Sequence, residues 1–255
     1  MSKQKRFLSF LIAFLLILSL IPAAAAEGGE PVDLPRNGDY VLRINGGYIS
    51  EHMEIVNDKE CLRVDLFLDG VTNERLLSSI QLWMLYDAEQ LTFVKHKALS
   101  GNGVMSTLNP NEPGLIRYAF ISSNGTLLNG TKPLLTLWFT VAEDLPAGTQ
   151  IRFAFSEPIK ADSITQGSYS SEKRTVGVQL RPFGVGPIYG DANCDCEVTA
   201  ADAALVLRAL VGLDTLSERG MENAKVGGGT ALSAQDAALI LRYVVGLIER
   251  FPAEG

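Results

Sequence analysis

Cysteine is scarce in this chain. Its 255 residues carry three, Cys61, Cys194 and Cys196, too few and odd in number for a disulfide framework, so packing must hold the fold. Histidine is scarcer still. His52 and His96 stand alone, and no HExxH, G-x-S-x-G or Cys–His pairing occurs. Acids such as Asp65, Asp69 and Glu157 are scattered and select no pair for glycoside hydrolysis, so the chain reads as non-catalytic. Positive charge is also short, with 22 Lys+Arg against 29 Asp+Glu and a net charge of −7. A surface that acidic repels nucleic acid and anionic lipid. Tryptophan is limited to Trp83 and Trp138, the latter in an apolar strand, which is little for a planar sugar-binding strip. A carbohydrate-binding β-sandwich therefore stands as the alternative reading.

What is present begins with an export signal. Lys3, Lys5 and Arg6 precede an apolar run at residues 7–21, and Ala24-x-Ala26 before Glu27 fits a signal-peptidase site. Residues 1–26 are thus read as a signal peptide, and the protein as secreted and extracellular. The run is shorter than the ~20 apolar residues of a membrane span. Cleavage removes three cations and no acids, taking the net charge from −7 to −10. Residues 27–38 read as a Pro/Gly-containing spacer.

From residue 40 to about 180 the pattern is all β. Residues 61–68, 80–86 and 135–141 alternate with period two, and Asn45-Gly46, Asp69-Gly70, Asn124-Gly125, Asn129-Gly130 and Pro146-Ala147-Gly148 supply turns between strands. Many short strands punctuated this way indicate a two-sheet sandwich over residues 39–182. Alternation turns Ile80, Leu82, Met84 and Tyr86 inward and leaves Ser79, Gln81 and Trp83 outward, with Ser122 and Ser123 on a neighbouring strand. Gly184-Val185-Gly186-Pro187 marks a boundary, and residues 183–188 are read as a linker.

Beyond it the period becomes helical. Residues 203–211 and 237–245 are helical stretches inside an internal repeat, in which residues 200–213 recur as 234–247 with ten of 14 positions identical. Before the first helix, counting Asp191 as loop position 1, oxygen side chains fall at 1, 3, 5, 9 and 12: Asp191, Asn193, Asp195, Thr199 and Asp202. A backbone carbonyl is expected from Glu197 at position 7. A hard divalent cation takes 6–8 oxygens from such a loop, which makes Ca2+ the expected ion. The competing reading is an acidic turn closed by a Thr199-x-x-Asp202 capping box.

Cys196 occupies position 6, where such loops place Gly to allow a positive φ, and a side chain there costs on the order of 1 kcal/mol. Cys194 and Cys196 are open to two readings, a small disulfide or two free thiols. The second loop has Lys225, Gly227 and Gly229 at positions 1, 3 and 5, so it should hold no calcium, and Asp236 reads as a cap partnered by Ser233. One calcium per chain is expected.

The run Gly190-Asp191-x-Asn193-x-Asp195 with Val198, Asp202 and a Leu-rich helix, repeated, resembles a type I dockerin over residues 189–252. The resemblance implies a small all-α module of duplicated EF-hand-like loop–helix units that binds a cohesin through its helices. It places the contacts at Ala200, Ala201 and Arg208, and at Ala234, Gln235 and Arg242. Loss of the second ligand set argues against two equivalent binding orientations.

The order of segments 62–71, 80–91, 114–120 and 134–141, ending in a Pro-Ala-Gly turn, resembles a cohesin, with Ala88 replacing the proline often found after Tyr-Asp. That implies an all-β jelly-roll sandwich that binds a dockerin on one sheet face, near Ser79, Gln81 and Trp83. Together the two resemblances imply a secreted, non-catalytic cohesin/dockerin adaptor of a cellulosome-like, polysaccharide-degrading complex. Its partners would be a cohesin of another scaffold protein and a dockerin-bearing protein. Any attachment to the cell surface would run through a partner.

Overall fold

The computed structural model describes residues 35–128, 130–156, 159–168 and 170–254. The signal peptide expected at 1–26, most of the spacer expected at 27–38, Asn129 and Glu157 lie outside the described residues. The chain forms two compact units. One contains the described residues up to Leu42 with Phe67–Ala142 and Phe153–Val178; the other contains Arg43–Leu66, Glu143–Arg152 and Gln179–Gly255. Three strands, β1 (Tyr40–Ile44), β4 (Lys59–Asp69) and β14 (Val176–Leu180), have residues in both.

The first unit is β-structured, with sandwich-like sheets. Its longest strands are β5 (Leu76–Tyr86) and β8 (Leu115–Thr126), paired antiparallel. On the far side of β8 lies β7 (Val104–Glu112); on the far side of β5 lie β12 (Lys160–Ile164) and then β13 (Ser171–Arg174), while β11 (Phe153–Phe155) pairs with the end of β5. Elsewhere β6 (Leu91–Ala98) pairs with β9 (Leu135–Val141).

Alternation sets the core. Ile80, Leu82, Met84 and Tyr86 are buried as expected, and Tyr118 and Phe120 of β8 join them. Each such side chain contributes about 1.5–3 kcal/mol by leaving water. Strand β9 departs from the expected alternation: Leu135 through Phe139 are all buried, so the strand is covered on both faces. Tyr86, Phe93 and Phe153 surround Phe139 at centroid distances of 5.0, 5.9 and 5.7 Å.

Asn124-Gly125 is not the expected turn. It lies within β8, where the register with β5 shifts between Leu77 and Ser79. Gly125 has φ +70°, and a Cβ there would meet Leu76 Cβ at 2.6 Å and Ile164 Cγ1 at 2.9 Å. The glycine therefore serves a bulge rather than a hairpin. Gly125→Ala is expected to cost about 2–4 kcal/mol, the sum of a left-handed φ and an overpacked core, measurable by denaturant titration.

In the second unit, β3 (Met53–Val56) pairs with β4 through Asn57 and Asp58, whose φ values of 51° and 61° are those of a type I′ hairpin turn. Beside it β10 (Gln150–Ile151), β15 (Phe183–Gly184) and β2 (Gly47–Tyr48) form a three-stranded sheet, antiparallel between β10 and β15 and parallel between β15 and β2. Residues 183–188, expected to be a linker, are thus partly strand. The reason is apolar: Phe183 and Ile188 are buried, and Gly184 lies so close to Ile188 that a Cβ would sit 2.6 Å from its Cδ1.

Three helices follow: α1 (Ala200–Leu210), α2 (Glu218–Ala224) and α3 (Ala234–Val244). α1 and α3 stand close to the expected positions. α2 was not expected, because Glu218-Arg-Gly-Met-Glu-Asn-Ala224 carries no apolar period; Ser217 starts it by accepting a hydrogen bond from Gly220 N at 3.0 Å. Ala203, Val206, Ala224, Val226, Ala237, Ile240 and Phe251 form the core of this region. Among the described residues no helix is long and apolar enough to cross a membrane.

Candidate functional site

The loop from Asp191 to Asp202 winds around its own acidic side chains. Asp191 Oδ1 accepts from Asp195 N at 3.0 Å, and Asp191 Oδ2 from Cys196 N at 2.9 Å. Asn193 Oδ1 also accepts from Asp195 N, and Asp195 Oδ1 accepts from Glu197 N at 3.0 Å. Closing the loop from the first turn of α1, Asp202 accepts from Asn193 N at 3.1 Å on one oxygen and from Thr199 N and Oγ1 on the other. The capping box weighed against metal binding is therefore present, and position 12 belongs to it.

Asp191 and Asp202 are nevertheless both wholly buried, and among the described residues no cationic side chain is ion-paired with either. Burial pushes the Asp191 carboxyl up to about 6, opposed by its hydrogen bonds and raised further by the charge of Asp202. Asp202 is likewise pushed up by burial. Two buried carboxylates with no counter-charge are unfavourable unless neutralised. A divalent cation fits that need. Among the described residues no group of three or more His, Cys, Asp or Glu side chains is arranged to hold a metal. An ion here would have to draw on the Asn193 carboxamide, Thr199 and the Glu197 carbonyl as well as on the carboxylates.

Position 6 shows the expected backbone. Cys196 has φ 65° and Cys194 has φ 60°, both left-handed and without a glycine. Of the two readings for this pair, free thiols hold, as all three cysteines are unbridged. Cys196 is buried with Tyr48 and Ile188, so its side chain packs where a glycine would leave a gap. Burial pushes its thiol up to about 12.

The second loop repeats the frame without the acids. Asp236 accepts from Gly227 N at 2.8 Å and from Ser233 N and Oγ at 2.8 Å, the counterparts of the three bonds of Asp202 one repeat earlier. It is the helix cap expected of it. Val226 is buried in the core and Lys225 is half-buried, so this segment holds position by packing.

Both long helices and the turns that follow them expose matching apolar residues. Leu207 and Leu241, Val211 and Val245, and Leu213 and Leu247 are equivalent in the repeat and are 40% exposed or more. Ala200, Ala201, Ala234 and Gln235 are exposed at the helix starts on the same two elements. Arg208 is exposed and ion-paired with Asp214, whereas Arg242 is exposed with no ion pair among the described residues. The apolar positions were missed by attention to the polar and small ones, though the repeat itself displays them.

On the β5–β8–β7 sheet, paired residues share one outward face. One row reads Asp162, Ser79, Ile121, Met105; the next reads Lys160, Gln81, Ala119, Thr107. Met105 and Ile121 are 71% and 53% exposed, side by side. Ser79 donates to Asp162 at 2.8 Å. Trp83 is half-buried beneath the Arg117 guanidinium, 4.9 Å from its ring, and Arg117 is held by Glu112 at 2.6 Å. Of the two serines placed on the neighbouring strand, Ser122 is buried and Ser123 exposed. Ile121 and Met105 were not singled out from sequence; the continued alternation of β8 beyond Phe120 was the signal that would have found Ile121.

No family model matches the chain, and no curated protein matches it. Solved structures to which it is similar include cohesin modules and cohesin–dockerin complexes. The sixth cohesin of Acetivibrio cellulolyticus scaffoldin B, solved in complex with a dockerin, is 16% identical with a TM-score of 0.42, covering 59% of this chain and 98% of that one. A non-cellulosomal cohesin from the archaeon Archaeoglobus fulgidus is 14% identical with a TM-score of 0.41, covering 57% and 90%. A chain from the Acetivibrio cellulolyticus complex of the third cohesin of ScaC with the ScaB dockerin is 36% identical with a TM-score of 0.26, covering 27% of this chain and 96% of that one.

Proposed function

We propose that this chain is a secreted, non-catalytic adaptor with two docking faces, one helical and one on the β5–β8–β7 sheet, serving an extracellular polysaccharide-degrading assembly. The observation that carries this reading is that α1, α3 and the turns that follow them expose equivalent apolar residues at equivalent repeat positions. A monomer rarely leaves such a patch uncovered without a partner for it. Small residues at the helix starts let another surface approach closely, and the arginines lie at the flank. The occupant of this face is a cohesin of another scaffold protein, and the occupant of the sheet face is a dockerin borne by a second protein.

The loop residues Asp191, Asn193, Asp195, Glu197, Thr199 and Asp202 hold one calcium. A bound calcium supplies positive charge that offsets the two buried carboxylates. The chain does the rest: the ligands come from the segment leading into α1, so holding the loop holds the start of the helix that carries half of the apolar face. The carbohydrate-binding alternative gains nothing from the tryptophans. Trp138 is buried with Lys95 over its ring at 4.5 Å, and Trp83 lies under Arg117.

The test is a binding screen of the chain against cohesins, dockerins and insoluble polysaccharides, with calcium or with chelator. Cohesin binding that disappears with chelator, and dockerin binding through the sheet, are the expected results. Binding to polysaccharide alone would reject the adaptor reading.

A further inference from the structure

The loop is not held by its own repeat alone. Tyr48 of β2 lies outside the repeat, and its hydroxyl donates to Asp191 Oδ2 at 2.9 Å, the same oxygen that Cys196 N reaches. The hydroxyl is itself fixed, because Asn223 Nδ2 donates to it at 2.6 Å and to the Asp191 carbonyl at 2.9 Å. That carbonyl can only accept, which settles the orientation of the amide and turns the phenol proton toward Asp191. The Tyr48 ring is 3% exposed, with the Arg219 guanidinium 4.0 Å above it, and Arg219 pairs with Glu51. From β10, Gln150 donates to the Cys196 carbonyl. Residues on either side of the loop in sequence thus clamp it at positions 1 and 6.

We infer that Tyr48 is a positioning residue for the calcium ligand Asp191, which ties the metal affinity of the loop to a strand far from it in sequence. The inference rests on reading the loop as a calcium site. Holding Oδ2 with two donors leaves Oδ1, beside Asp195 N, as the oxygen presented to the ion. Groups that orient a metal ligand from behind commonly alter affinity by about 10–100-fold when removed. The coupling is reciprocal: whatever Tyr48 adds to calcium affinity, calcium adds to the Tyr48 contact.

Calorimetric titration of the chain with calcium chloride tests this with Tyr48→Phe, which keeps the ring and removes the hydroxyl. The wild type should bind one ion, and Tyr48→Phe should bind it about 10-fold more weakly or worse. Arg219→Gln, which leaves the hydroxyl in place, should match the wild type. Unchanged affinity in Tyr48→Phe overturns the inference. So does an equal loss in Arg219→Gln, which would assign the effect to packing of the ring. A wild type that binds no calcium overturns the loop reading itself, and the inference with it. Should Tyr48→Phe fail to fold, amide exchange of the wild type decides: calcium should slow exchange at Tyr48 and Ile49, and exchange indifferent to calcium overturns the inference.

Discussion

Asp202→Ala should abolish the response of the helical region to calcium, whereas Asp236→Ala should leave that response intact. The two residues are matched by the repeat: each closes a capping box and accepts three hydrogen bonds from equivalent positions. Both variants therefore lose a cap and strand buried donors, a loss of about 2–3 kcal/mol each. Only Asp202 faces a loop that also contains Asp191, Asn193 and Asp195. Calcium at 100 times its dissociation constant stabilises a folded site by about 2.7 kcal/mol, and that increment should vanish in Asp202→Ala alone. Thermal unfolding followed by helical circular dichroism, with calcium or with chelator, reads both quantities. A loss of the calcium response in Asp236→Ala would show that the second loop holds metal after all.

Ile121→Asp should weaken dockerin binding by about 30-fold or more while leaving folding untouched. Ile121 stands between Ser79 and Met105 in the row Asp162, Ser79, Ile121, Met105 and is 53% exposed, so a carboxylate there remains hydrated in the free protein. Once a partner covers the row, the same carboxylate must be desolvated without a counter-charge. The few residues whose substitution costs about 2 kcal/mol or more cluster where an interface is fully desolvated, and an unpaired carboxylate buried there adds its own desolvation cost. Surface plasmon resonance gives the affinity, and unchanged thermal unfolding confirms that the effect is local. Undiminished binding would place the dockerin on another surface.

Much of the fold was legible in the sequence. The alternation of residues 80–86 placed Ile80, Leu82, Met84 and Tyr86 inside, and the repeat at 200–213 and 234–247 located α1 and α3. The positive φ of Cys196 followed from its place in the loop, and the cap role of Asp236 from Ser233-x-x-Asp236. Other features were hidden for identifiable reasons. Gly125 looks like a turn residue, since an Asn-Gly pair is written the same way whether it reverses a chain or accommodates a bulge. α2 has only Met221 and Ala224 as apolar side chains and starts at the Ser217 cap, so no apolar stripe marks it in the sequence. Phe183 and Gly184 follow a proline and precede a glycine-rich run, so local sequence speaks for a connector, while their partners in β10 and β2 lie far away in the chain. The Tyr48–Asp191 bond is of the same kind, because no local pattern relates residues so distant.

The small sheet of β10, β15 and β2 has a mechanical consequence. The chain passes from β15 into the loop before α1 within a few residues, so tension entering through α1 or α3 reaches the loop first and Phe183 and Gly184 after it. Two residues of pairing on each side make a weak clasp under load. The side-chain ties from Tyr48 to Asp191 and from Gln150 to Cys196 lie downstream of that clasp and share the strain before it is felt. An ion seated in the loop would stiffen the far end of those ties, so calcium would set how hard the protein can be pulled before its helical end comes away.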